Sequence, residues 1–209
     1  MKTWLTFSLI FIFSLTGFAQ SKIKVACVGN SITEGAGIET GKKYPEQLQT
    51  LLGSTYEVRN YGIGGRTLLK KGDYPYWNEA KYAEVLGWQP DIVAIKLGTN
   101  DSEPQNWQHK ADFKKEYVTF IKSFKKLPNH PQVYICKPMP AYYTNFSISP
   151  EVIQNEMLPL IEAIAKKTKV KVIDLYTPMV GKNSLAPDGI HPNAEGAGIL
   201  AQEVYNAIK

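Results

Sequence analysis

Short runs of branched apolar residues alternate along this chain with segments of helical spacing, and few architectures accept that order. Pro90 introduces Asp91-Ile-Val-Ala-Ile-Lys-Leu97, which reads as a buried strand. Lys22 to Val28, Tyr56 to Tyr61, Gln132 to Cys136 and Val170 to Leu175 read as four more strands. Tyr44 to Leu52, Asn78 to Leu86 and Lys110 to Lys126 read as helices. In the last of these, Phe113, Tyr117, Phe120, Ile121 and Phe124 share one helical face. Ser149-Pro150 looks like a cap followed by a first-turn proline, opening a helix toward Lys167 with a kink expected at Pro159. Ala194 to Ile208 reads as a further helix. Five strands separated by helices predict an α/β fold, a parallel sheet with helices on both faces. Ligands of such sheets bind beyond the carboxyl ends of the strands. Two long irregular stretches, Arg66 to Trp77 and Lys137 to Ile148, follow strands and are candidate walls of a site.

With 209 residues the chain suits one domain of ordinary size. Its beginning does not read as part of that domain. After Met1-Lys2, the stretch from Trp4 to Phe18 is largely apolar, and Gly17 and Ala19 have the small-residue spacing of a signal peptidase site. The expectation is a signal peptide over 1–19, cleaved between Ala19 and Gln20, a single domain over 20–209, and export to the periplasm or beyond. An uncleaved anchor is the alternative, but the run is shorter than the roughly 20 residues a spanning helix needs. No stable membrane insertion is therefore expected. The formal net charge is +5, and loss of Lys2 leaves +4. Lysines such as Lys110, Lys114, Lys115, Lys122, Lys125 and Lys126 are scattered over a helix surface. A solvated face accounts for them, and no nucleic-acid partner is expected. Cys27 and Cys136 fall in strand-like runs that are not neighbours, so buried free thiols are favoured over a disulfide.

Four short segments, each expected to begin where a predicted strand ends, stand out: Gly29-Asn30-Ser31-Ile32-Thr33, Asn60-Tyr61-Gly62-Ile63-Gly64-Gly65, Gly98-Thr99-Asn100-Asp101 and Asp188-Gly189-Ile190-His191-Pro192-Asn193. Acyl transfer needs a hydroxyl nucleophile, a base near neutrality, a carboxylate to orient that base, and donors aimed at the developing oxyanion. Each segment carries one candidate and one plainer explanation. Ser31 follows a strand by a tight turn, where a simple N-cap serine is also common. Gly65 offers an unobstructed N–H, or a flexible turn. Asn100 offers an amide donor, or an Asx turn. His191 has Asp188 three residues earlier, although the two could equally cap the helix that follows. Ser102 is a rival nucleophile without a strand-to-helix turn to present it. His109 and His130 read as helix-start and turn residues. Three dispersed histidines and no close cysteine pair argue against a zinc site.

Taken together and in this order, the four segments resemble the blocks of the SGNH/GDSL hydrolases. Gly29-Asn30-Ser31-Ile32 matches the block that supplies the nucleophile, with Asn30 where the family motif has Asp. Gly65 matches the oxyanion glycine, Asn100 the oxyanion asparagine, and Asp188 and His191 the Asp-x-x-His block. The resemblance covers about Lys22 to the last residue. It implies a three-layer α/β/α sandwich with a flavodoxin-like five-stranded parallel sheet, catalysis by Ser31, His191 and Asp188, and an oxyanion hole of Ser31, Gly65 and Asn100. It implies no metal and no organic cofactor. Asp101 reads as structural.

The substrate is less constrained. Tyr74, Tyr76, Trp77, Trp107, Tyr142 and Tyr143 lie in the expected walls. Aromatic faces with polar tips suit sugar rings, and core packing suits them equally. Asn30, Arg66, Trp77 and Tyr142 are the expected substrate contacts. A compact exported chain without an apolar lid resembles the carbohydrate O-acetylesterases, such as those acting on sialate or plant polysaccharide. The expected partner is thus a small-molecule or glycan ester. The alternatives are a lysophospholipase or acyl thioesterase of the same family, and an inactive carbohydrate-binding module on the same scaffold. The glycines of Gly62 to Gly65 lack the spacing of a phosphate-binding fingerprint.

Overall fold

The computed structural model describes residues 21–209. The expected signal peptide and its cleavage site fall outside them. Five parallel strands form one sheet: β1 (Ile23–Gly29), β2 (Tyr56–Gly62), β3 (Ile92–Lys96), β4 (Gln132–Lys137) and β5 (Lys171–Asp174). Their order is β2-β1-β3-β4-β5. The chain steps outward from β1 to β2, then returns to the other side of β1 for β3. That reversal is a topological switch point, and it opens a crevice at the carboxyl edge between β1 and β3.

Among the described residues seven α-helices accompany the sheet: α1 (Ser31–Glu34), α2 (Tyr44–Leu52), α3 (Ala80–Trp88), α4 (Pro104–Trp107), α5 (Lys110–Lys125), α6 (Leu158–Thr168) and α7 (Ala194–Ile208). The two-residue period of the strands sorts them into layers. Ala26, Val28, Val93 and Ile95 pack with Phe113, Tyr117, Phe120 and Phe124 of α5, and with Ile161 and Ile164 of α6. Val25, Cys27, Ile92 and Ala94 point the other way, onto Tyr44 and Leu48 of α2 and Leu200 and Val204 of α7. The result is a three-layer sandwich with a core on each face of the sheet. Each fully buried Phe of α5 stabilises it by roughly 1.5–3 kcal/mol. Cys27 and Cys136 are both buried and free, on β1 and β4 with β3 between them.

Element limits fall within about two residues of the sequence expectation, with two differences. The helix expected from Asn78 begins at Ala80, because Tyr76–Asn78 form a 3-10 turn. Pro159 is preceded by a π-helical stretch, Val152–Met157. Proline has no N–H and crowds the carbonyl one turn back, so the irregularity lies in the turn before it. α4 was not legible as a separate helix. Pro104 at its first turn starts it, and it spans a single turn.

Candidate active site

The ends of β1, β2 and β3 bring three of the segments to one edge; the fourth, Asp188 to Asn193, does not begin at a strand end as expected but follows β5 after two 3-10 turns, Thr177–Met179 and Asn183–Leu185. Asn30 follows β1 with extended backbone and is the N-cap of α1, its Oδ1 accepting from the N–H of Ile32 at 3.2 Å. Ser31 is therefore the first residue of the helix and not its cap. Its hydroxyl is free of capping duty, and its N–H has no acceptor one turn back. Gly62 lets α1 lie directly on the end of β2: a Cβ there would meet the backbone N of Glu34 at 2.1 Å.

Ser31 Oγ lies 2.8 Å from His191 Nε2, and His191 Nδ1 lies 2.7 Å from Asp188 Oδ2. With Nδ1–H directed at the carboxylate, the Nε2 lone pair faces the Ser31 hydroxyl. The other carboxylate oxygen, Oδ1, accepts from the backbone N–H groups of Ile190 at 2.9 Å and His191 at 2.7 Å. Burial opposes charge on Asp188. The N–H and ring of His191 and the N–H of Ile190 outweigh it and hold the carboxyl below the usual range. The cap of α7 is Asn193, whose Oδ1 accepts from Gly196 N at 2.9 Å. Asp188 and His191 are thus free of the capping task as well.

The β2 and β3 segments are tied to each other. Gly65 takes a left-handed backbone, φ +74°, with no atom within 4 Å of where a Cβ would stand. Asn100 is almost fully buried, and its Nδ2 donates to the carbonyl of Arg66 at 2.9 Å. One amide hydrogen is used in this way and the second remains available. The next residue, Asp101, is fully buried and accepts from the N–H groups of Leu68 at 2.9 Å and Leu69 at 2.7 Å. Burial, against the pull of these donors, pushes its carboxyl up to about 7. Two consecutive residues after β3 thereby hold the loop that carries Gly65.

A second buried ionisable group lies beside Asn30, the residue before Ser31. Lys96, at the end of β3, is fully buried, and its Nζ donates to Asn30 Oδ1 at 3.1 Å and Thr99 Oγ1 at 2.9 Å. Burial lowers its pKa to about 7. No carboxylate pairs with it among the described residues. The signal was visible in the sequence, because a lysine inside the apolar run Asp91 to Leu97 must find polar partners.

Of the four expected substrate contacts, Asn30 is fully buried, while Arg66, Trp77 and Tyr142 keep part of their surface exposed and bind protein partners through their polar groups. The Asn30 side-chain oxygen is committed to Ile32 and Lys96. The Arg66 guanidinium pairs with Glu79 at 2.8 Å and donates to the carbonyl of Gly64 at 2.7 Å, which braces the Gly65 loop. Trp77 donates its indole N–H to Leu68 O at 2.6 Å and packs on Tyr82 and Phe120. The Tyr142 hydroxyl donates to the carbonyl of Met179. Tyr76 and Trp107 are core residues, which leaves Tyr74 and Tyr143 as the exposed aromatics of that group. Ser102 is buried and donates to Thr99 O at 2.7 Å, so its hydroxyl is committed too.

Sequence reasoning missed the way the loop after β4 grips the acid-base turn. Tyr142 N donates to Gly189 O at 2.9 Å, Tyr143 Oη to Pro187 O at 3.1 Å, and Asn145 Nδ2 to Asp188 O at 2.9 Å. Gly189 has left-handed backbone, φ +82°, which favours glycine, and a Cβ there would stand 2.6 Å from the Tyr143 ring and displace it. Phe146 then lies beside His191, ring centroids 5.6 Å apart. Phe146 and Ser147 both adopt left-handed backbone, φ +51° and +61°. Such residues cost on the order of 1–3 kcal/mol each. A cleft of about 220 Å³ is lined by Ala36, Gly37, Pro187, Asp188, His191, Pro192 and Asn193. Among the described residues no three His, Cys, Asp or Glu side chains cluster as metal ligands, and no helix is long and apolar enough to cross a membrane.

Comparison with known proteins adds the following. The model of the GDSL-like lipase/acylhydrolase family matches residues 27–199. The acetylxylan esterase of Xylanibacter ruminicola is 39% identical over 210 aligned residues, covering 91% of this chain and 44% of that protein. The chain thus spans less than half the length of that relative. Among solved structures, an acetyl xylan esterase superposes with a TM-score of 0.72 at 24% identity, covering 90% of this chain and 100% of the other. A carbohydrate acetylesterase family member from Sinorhizobium meliloti gives 0.68 at 21% identity, covering 88% and 96%. At these identities the two structures establish the fold.

Proposed function

The chain belongs to the GDSL-like lipase/acylhydrolase family, and from that premise we propose that it is a serine esterase that removes small acyl groups, acetyl above all, from carbohydrate hydroxyls. The observation that supports this reading most is the continuous line from Ser31 through His191 to Asp188 at 2.8 and 2.7 Å. His191 takes the proton of Ser31 as Oγ attacks the ester carbonyl. The oxyanion is met by the N–H groups of Ser31 and Gly65 and the second amide hydrogen of Asn100. His191 then protonates the leaving alcohol, and water repeats the cycle on the acyl-enzyme. The similarity to an acetylxylan esterase favours acetyl as the acyl group and a polysaccharide hydroxyl as the alcohol. Export through a signal peptide over 1–19 belongs to the same proposal, since such polymers lie outside the cell.

The test is a p-nitrophenyl ester series from acetate to octanoate, with Ser31→Ala as control. The expected result is preference for acetate, with kcat/KM of the variant lower by roughly 10⁴–10⁶. Preference for octanoate would move the enzyme to the lysophospholipases and thioesterases of the family. Absence of any turnover by the wild type would favour a binding module.

A further inference from the structure

Phe146 is an apolar ring that folding alone does not account for. It is 58% exposed, it sits on left-handed backbone beside a second such residue, and it faces the ring of His191. Its position is nonetheless defined. Its N–H is bound by Asn145 Oδ1 at 2.9 Å, and Asn145 also holds Asp188. Ile148, two residues on, is buried, its N–H donating to Asn145 O at 2.9 Å. Ser149 N then donates to Ser102 Oγ at 3.1 Å. The loop is thus pinned on both sides of an exposed, strained aromatic, which is the arrangement of a preorganised contact for a ligand.

The chemistry indicates which part of the ligand. In the acylation step the Ser31 Oγ–acyl carbon bond forms and the acyl carbon–alcohol oxygen bond breaks. The proton taken from Ser31 passes from His191 Nε2 to the departing alkoxide oxygen. The alcohol must therefore leave on the His191 side of the hydroxyl, while the carbonyl oxygen turns toward Gly65 and Asn100. We infer that Phe146 is the platform for the alcohol part of the ester, its face receiving the sugar ring whose hydroxyl carries the acetyl group. The inference rests on the acyl-transfer reading above and adds the residue that selects the alcohol. Tyr143, also exposed, extends the same rim.

The experiment compares wild type, Phe146→Ala and Phe146→Trp on three acetates: a mono-acetylated methyl xyloside, phenyl acetate and ethyl acetate. Ethyl acetate has no ring to stack. Phe146→Ala should lower kcat/KM on the two ring alcohols roughly 5- to 10-fold more than on ethyl acetate, chiefly through KM, and Phe146→Trp should restore the ratio. An equal loss on all three would mean that Phe146 positions His191 and does not bind alcohol, and would overturn the inference. So would unchanged ratios. If the wild type cleaves phenyl and ethyl acetate but not the xyloside, the carbohydrate reading fails, and the phenyl-to-ethyl ratio still decides the role of Phe146. Cleavage of none of the three overturns both.

Discussion

On the Gly65 and Asn100 side of Ser31 the polar groups are dry: Asn30, Lys96, Thr99, Asn100, Asp101 and Asn106 are all buried, and each bonds a partner on the sheet edge or its loops. On the His191 side the groups are wetter. The side chains of His191 and Asp188 keep 20% and 35% of their exposure, and Tyr143 and Phe146 project into solvent. The first side grows directly from the ends of β1, β2 and β3. The second is reached through the turns after β5 and is held by the loop after β4. The contrast fits the two tasks of the proposed reaction. Donors for a transient oxyanion work best fixed and away from water, where they need no reorganisation. A base that takes a proton from serine and hands it to an alcohol needs an approach for alcohol and water.

Substitutions on each side can break or sharpen that contrast. Asp188→Asn should lower kcat by about 10⁴, because an amide can donate to Nδ1 and favour the wrong tautomer. A loss near tenfold would mean the backbone around His191 suffices. Asn100→Ala should cost about 10²–10³ in kcat with little change in KM. A loss carried by KM would place Asn100 in ground-state binding.

Smaller effects test the buried groups as positioning residues. Asp101→Asn should cost about tenfold in kcat, since one of the two N–H groups it receives would face an amide and loosen the Gly65 loop. The Asp101 carboxyl is raised from 3.8 to about 7, so the native state keeps a proton that the unfolded chain releases. Its contribution is present below pH 4 and lost as pH rises through 7. Urea midpoints between pH 4 and 7 should fall less steeply in the variant than in the wild type; parallel slopes would sink the argument. Lys96 behaves in the opposite sense. The unfolded chain holds its proton to 10.5 while the native state releases it near 7, so this residue makes stability rise with pH between those values. Lys96→Met should flatten that rise and reduce kcat less than tenfold, because Asn30 Oδ1 keeps the Ile32 N–H. An unchanged slope would show that Lys96 does not titrate there.

Much of the fold was legible because it is written in local periods. The apolar runs marked the strands, and the spacing from Phe113 to Phe124 marked the inward side of α5. The candidate triad was legible for another reason: its four segments are short, polar and ordered along the chain. The polar partners of the wall residues were not. Trp77 and Tyr142 have the right chemistry to stack a sugar, yet both turn their polar atoms onto backbone carbonyls. Residue type tells what a side chain can touch, but not the face of the loop from which it leaves. Phe146 gave no signal that set it apart from Tyr142 and Tyr143 in the same loop, because aromatics in an irregular loop share no period.

The sequence by itself determined the strands and helices and the chemistry available at the strand ends, since these depend on neighbours a few residues apart. Tertiary structure decided which serine meets which histidine across 160 positions, and that Asn100 reaches Arg66 across 34. It also decided that Asn30 and Asn193, not Ser31 and Asp188, do the capping. Such pairings rest on the order in which parallel strands are laid beside one another, and no local spacing encodes that order.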